Sequence, residues 1–201
     1  MSSRDKILAA VAANQPQLTA LPDISFLKGD VNGVQEKFIA TLTAIGGKVI
    51  EVDNFNEITA YIKATTTLSQ RVITTLIELT NMVELINDNS VLPHTFQDVE
   101  LSIINAHLGV SENGAVWVKD DLLNHRVLPF ICQHLAIILN KQNIVPTMHE
   151  AYENIGLENY GYGTFIAGPS KTADIEQSLV LGAHGSRSMT VFLMNTPSAH
   201  D

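Results

Sequence analysis

Phe165 to Asn195 reads F-I-A-G-P-S-K-T-A-D-I-E-Q-S-L-V-L-G-A-H-G-S-R-S-M-T-V-F-L-M-N. Its first apolar run, Thr164 to Ala167, is too short for a helix and is bounded by Gly163 and Gly168, so it reads as a buried strand. Gly168-Pro169-Ser170 then breaks the pattern with turn chemistry. Thr172 can cap a short helix whose first turn carries Asp174 and Glu176, acids placed where the helix dipole favours them. A second polar turn, Gly182-Ala183-His184-Gly185-Ser186-Arg187, follows Leu181, and Met189 to Met194 is again an apolar run of strand length. Two strands therefore feed two polar loops, the usual address of chemistry in a sheet protein.

Outward from this stretch the pattern alternates. Ser3 to Ala13 reads as a short helix and Asn14 to Lys28, with Pro16 and Pro22, as an arm, so residues 1–28 stand apart from a single α/β domain over 29–201. Asp30 or Asn32 can cap a helix through Ala44 that Gly46-Gly47 ends. Lys48 to Val52 reads as a strand, Phe55 to Thr65 as a helix capped by Asp53-Asn54, and Arg71 to Leu76 as a second strand. Thr80 to Asn87 reads as a helical turn. Leu101 to Asn105 and Gly114 to Val118 read as strands flanking Ala106 to Asn113, and Asp121 to Ile131 as a helix interrupted by Pro129. Leu135 to Leu139 is a buried strand, and Pro146 to Ile155 a helix with proline in its first turn. Strands alternating with helices predict a mainly parallel sheet covered by helices, an α/β fold.

Composition narrows the function. With 45% hydrophobic and 16% charged residues the chain is no disordered tail. A net charge of -9, with no Lys/Arg cluster longer than two residues, argues against a nucleic-acid surface. The lone Cys132, in the apolar context P-F-I-C-Q-H-L-A, permits neither an internal disulfide nor a cysteine-held iron–sulfur or zinc site. No H-x-x-x-H or similar metal pair occurs, and Asp120-Asp121 reads as a cap. No apolar run reaches the roughly 18 residues a membrane span requires, so the expectation is a cytoplasmic protein with no membrane partner.

Three loops can carry chemistry. Gly168, Ser170 and Thr172 offer backbone N–H groups and hydroxyls at a strand end, with Lys171 beside them; these suit a small anion, or form a capped turn with no ligand. Gly182 and Gly185 let a backbone approach a ligand closely, while His184 can exchange a proton near neutral pH and Arg187 can grip a carboxylate through two hydrogen bonds. That pair meets the needs of a 2-hydroxy or 2-oxo acid; the alternative is a turn whose Arg187 pairs with Asp174 or Glu176. Ser111-Glu112-Asn113-Gly114 lies between two apolar runs, where Glu112 is the leading functional carboxylate, or else part of a plain E-N-G hairpin turn. His107, five residues earlier, can reach the same pocket if both lie near strand ends; His125, His134 and His149 read as surface or core residues.

G-P-S-K-T-A-D-I-E at Gly168 to Glu176 and G-A-H-G-S-R at Gly182 to Arg187 resemble the LUD (lactate-utilisation) domain family, in particular its small lactate-utilisation protein C type. The family pattern is G-P-S-x-T-A-D-I-E followed by G-V-H-G-P-R, from which Ala183 and Ser186 depart. The family also shows E-T-G-T near Glu112 and Gly114, with Asn113 and Ala115 departing, and S-E-N-G is similar to a motif of class I coenzyme A transferases whose glutamate attacks an acyl group. The resemblance implies a Rossmann-like open sheet of the sugar-phosphate isomerase and coenzyme A transferase kind. It also implies participation in oxidising L-lactate to pyruvate beside iron–sulfur partner subunits. Glu112 and His184 are then the catalytic candidates. Asn113, Gly114, Gly168, Ser170, Thr172, Asp174, Glu176, Gly182, Gly185 and Arg187 are the binding candidates. No G-x-G-x-x-G follows a strand, so no dinucleotide is implied, and side chains alone cannot move a hydride. The redox centres are expected on the partners. Two rival readings are an independent coenzyme A transferase or acyl-thioester hydrolase using Glu112, and a non-catalytic binding module.

Overall fold

The computed structural model describes residues 2–172 and 180–195. In chain order the elements are α1 (Ser3–Ala13), α2 (Val34–Ala44), β1 (Lys48–Val52), α3 (Phe55–Thr65), β2 (Arg71–Thr74), β3 (Glu84–Leu85), β4 (Val99–Asn105), β5 (Leu108–Val110) and β6 (Ala115–Lys119). There follow α4 (Leu128–Ile131), β7 (His134–Asn140), β8 (Ile144–Val145), α5 (Met148–Ile155), β9 (Gly163–Ile166), β10 (Lys171–Thr172), β11 (Val180–Leu181) and β12 (Ser188–Met194). The main sheet has the order β1-β12-β7-β4-β2-β3, and every neighbouring pair in it is parallel.

The parallel arrangement follows from the apolar strands. H-L-A-I-I-L-N of β7 and S-M-T-V-F-L-M of β12 are apolar on both sides and so need a cover on both faces. Leu135, Ile137 and Leu139 of β7, with Met189, Val191 and Leu193 of β12, enter one buried cluster with Phe38 and Leu42 of α2 and Val116 and Val118 of β6. The alternate residues Ala136, Ile138, Phe192 and Met194 enter a second cluster with Ile58 and Ile62 of α3. A smaller sheet, β8-β5-β6-β9, lies against α2, so this helix is packed between two layers. At the far edge the Arg71 guanidinium binds both oxygens of Glu84 at 2.7 and 2.8 Å and Asp98 at 2.7 Å, tying β2 to β3. The same guanidinium holds the Glu84 carboxyl below its usual range.

The expected α/β class and mainly parallel sheet are present, and α1, α3 and β1 have the expected bounds. Other boundaries move for identifiable reasons. The helix expected to start at an Asp30 or Asn32 cap begins after Gly33 at φ 67°, while Asp30 accepts the Asn32 N–H in a turn of its own. Thr147, not Pro146, opens α5, with its hydroxyl accepting the Glu150 N–H. The helical turn expected at 80–87 is not formed there: a 3-10 turn, Ile77–Leu79, ends just before it, and β3 lies within it. Asp121 to Ile131 holds a 3-10 turn and the one-turn α4, with no long helix. The connector expected at 106–113 contains β5, a triplet too short to show a period. Thr172 stands in β10 and pairs with Val180, and the helix expected beyond it lies outside the described residues. Among the described residues no helix is long and apolar enough to cross a membrane.

Candidate functional site

The two sequence motifs form one structural unit. Ser170 donates its N–H to the Ser186 carbonyl at 2.9 Å, and Gly182 donates its N–H to the Ser170 carbonyl at 3.1 Å. Lys171–Thr172 and Val180–Leu181 add a two-stranded ladder. The loops also fit by size: a Cβ on Gly185 would stand 3.2 Å from the Ser170 Cβ. Beneath them lies the end of α2. Gly168, at φ 71°, is so close that a Cβ would stand 3.2 Å from the Ile45 carbonyl oxygen, and Lys171 Nζ donates to that same oxygen. A cation on the last carbonyls of a helix is favoured by the dipole.

The unit sits at the amino ends of the parallel strands. Arg187 donates its N–H to the Gln133 carbonyl just ahead of β7, and Gly46 and Gly47 lead into β1 at the same edge. Open α/β sheets more often bind ligands at the opposite, carboxyl edge. His184 and Arg187 are among its exposed side chains, neither with a side-chain partner among the described residues, while Ser186 is buried. Gly182, at φ 81°, leaves room for the Arg187 stem: a Cβ there would stand 2.3 Å from the Arg187 Cγ. Asp174 and Glu176 lie outside the described residues.

Glu112 belongs to the turn of a β5–β6 hairpin, with Val110 opposite Ala115. Gly114 N–H donates to Val110 O at 2.9 Å and Asn113 Oδ1 accepts the Ala115 N–H at 3.0 Å, so both residues serve the turn itself. Glu112 is exposed, and its Oε2 accepts the Met148 N–H at 2.8 Å. Its carboxylate thus meets the positive end of α5. The register of β6 on β9, Val116 opposite Ile166, carries this turn and Gly168 to one end of the smaller sheet. Both rest on the last turns of α2, Gly114 against Leu42 and Gly168 against Ile45. The 111–114 and 168–172 turns are therefore neighbours through α2, and the 182–187 turn joins the second of them through Ser170, while the Glu112 side chain is turned to α5.

Residues 35–194 match the LUD domain family. The chain belongs to that family. Over 105 residues it is 28% identical to Lactate utilization protein C of Oceanobacillus iheyensis, covering 49% of this chain and 45% of that one. Over 77 residues it is 34% identical to Lactate utilization protein C of Anoxybacillus flavithermus, covering 38% and 35% respectively. Each match spans less than half of the relative's own length. In fold this LUD domain is similar to a DUF162-family protein from Deinococcus radiodurans, with a TM-score of 0.63, 17% identity, and coverage of 80% of this chain and 96% of that one.

Elsewhere in the LUD domain, His107 does not join Glu112. It stands before β5 and Glu112 after it, and His107 Nε2 bonds the Asp121 carboxylate at 3.1 Å, at the rim of a cleft of about 420 Å³ lined also by Trp117, Lys119 and Glu158. Burial pushes the Cys132 thiol up to about 12, which leaves it protonated and inert. His134, read from sequence as surface or core, instead bonds Ser188 across β7 and β12. Nothing in either local sequence announces this, because the two residues are 54 positions apart and only strand register joins them. Among the described residues no group of three or more His, Cys, Asp or Glu side chains is placed to hold a metal.

Proposed function

We propose that this LUD domain takes part in oxidising L-lactate to pyruvate, holding the small acid at the paired loops beside iron–sulfur partner subunits in the cytoplasm. One observation carries the reading: the Ser170–Ser186 and Gly182–Ser170 hydrogen bonds lock the two family motifs together and leave Arg187 and His184 exposed on one loop. The names of the Oceanobacillus and Anoxybacillus relatives support lactate as the substrate. Arg187 offers two parallel N–H donors to a carboxylate, and His184 can hold the proton released from a 2-hydroxyl group. The C–H hydrogen, with its two electrons, would leave to redox centres that the partners supply, since one buried cysteine cannot ligate a cluster. Glu112 is exposed and engaged at α5, so burial lends no support to its use as an acyl nucleophile.

The test is co-expression with iron–sulfur subunits, followed by assay of lactate-dependent pyruvate formation. Arg187→Ala should leave the complex intact and weaken apparent lactate affinity. A charge-assisted hydrogen bond is worth about 1.5–3 kcal/mol, or roughly 10- to 100-fold. Wild-type kinetics in Arg187→Ala, or no complex with those subunits, would sink the reading.

A further inference from the structure

A second site lies at the amino edge of the main sheet, beyond the lactate reading. Parallel register sets Ser188 of β12 opposite His134 of β7, and His134 opposite Leu101 of β4, with Glu100 next to it. His134 Nδ1 lies 2.7 Å from Ser188 Oγ, and His134 Nε2 lies 3.5 Å from Glu100 Oε1. All three side chains border one cleft of about 210 Å³, lined also by Leu101, Leu135, Tyr61 and Thr190. From these contacts we infer a serine acyl-transfer site with Ser188 as nucleophile, His134 as base and Glu100 as positioning residue, acting on short-chain acyl esters or thioesters.

The protonation pattern follows from the donor inventory. Ionised Glu100 only accepts, so it favours a proton on Nε2 of His134 and leaves Nδ1 to accept from the Ser188 hydroxyl. The contact to Glu100 is long, of the kind that tightens when substrate excludes water. The Tyr61–Thr190 pair can supply an oxyanion donor. Tyr61 and Thr190 share one hydrogen bond at 3.3 Å, and both line the cleft. One proton makes that bond, so whichever hydroxyl accepts keeps its own O–H to donate elsewhere. The Thr65 and Thr66 hydroxyls donate to helix carbonyls and do not compete. Glu100 places negative charge in the cleft, which favours an uncharged acyl group over a free carboxylate.

In the reaction Ser188 Oγ attacks the acyl carbon as its proton passes to His134 Nδ1, and the Tyr61–Thr190 pair receives the oxyanion. The bond to the alkoxide or thiolate breaks, and the leaving group takes the proton from Nδ1. Water then gives a proton to His134 and attacks the acyl-serine. Ser188 Oγ leaves, regains that proton, and the acid departs.

The test uses the full chain with a fluorophosphonate probe and p-nitrophenyl acetate. Expected are labelling of the Ser188 peptide, located by mass spectrometry, and a fall in turnover of about 100-fold or more in Ser188→Ala and His134→Gln. Glu100→Gln should lower kcat while leaving KM near the wild-type value. Thermal unfolding of each variant shows whether it folds. Folded wild-type protein left unlabelled at Ser188, or turnover that persists in Ser188→Ala, overturns the assignment.

Discussion

Replacing Phe38 by alanine will lower folding stability by about 3–5 kcal/mol, the cost of removing a fully buried aromatic ring. Phe38 is 0% exposed and belongs to the cluster that joins α2 to both sheets. A Cβ on Gly109 would already stand 3.1 Å from the Phe38 ring and 2.7 Å from Leu139, so β5 is fitted to that ring. The walls of the resulting cavity are parallel strands on one side and a hairpin on the other. Neither can collapse inward without breaking ladder bonds, so the cost should fall in the upper part of the range. Small domains are stable by only about 5–15 kcal/mol, and the variant should lose much of that. Urea unfolding of Phe38→Ala checks it, and a change below about 1 kcal/mol would show that α2 is not clamped between two layers.

Gly114→Ala should cost about 3 kcal/mol, from two separate causes. Gly114 has φ 69°, a backbone conformation that costs an L residue about 1–2 kcal/mol. Its Cβ would also stand 2.9 Å from both the N and the Cα of Leu42, backbone atoms that cannot rotate away. Overpacking of this kind adds about 1–3 kcal/mol. Gly33→Ala separates the causes, because Gly33 has φ 67° but its nearest neighbour would be a Glu36 carboxylate oxygen at 3.7 Å. That variant should show the conformational cost alone. Equal losses in the two variants would mean that the 111–114 turn does not bear on α2.

The fold was legible wherever burial repeats along the chain. Leu135–Leu139 and Met189–Met194 announce buried parallel strands because both of their faces must be covered. β5 was not legible, since three residues with Gly109 in the middle carry no period. The site was half legible. The glycines, hydroxyls, His184 and Arg187 of the two motifs could be named from the sequence, but not the reciprocal hydrogen bonds between Ser170, Gly182 and Ser186. Nor could their meeting be read, because the first turn follows β9 of the smaller sheet and the second precedes β12 of the main one, and only the packing of the two sheets brings them together. The E-N-G turn was readable at Glu112. The use of its carboxylate was not, because the Met148 N–H that it accepts is 36 residues away.

The most direct test of the paired-loop site is titration of the labelled chain with L-lactate or pyruvate, followed by amide NMR. Shifts concentrated at Ser170–Thr172 and Gly182–Arg187, and lost in Arg187→Ala, are the predicted result. Saturating ligand that leaves those amides unmoved, or shifts that persist unchanged in Arg187→Ala, would contradict the account.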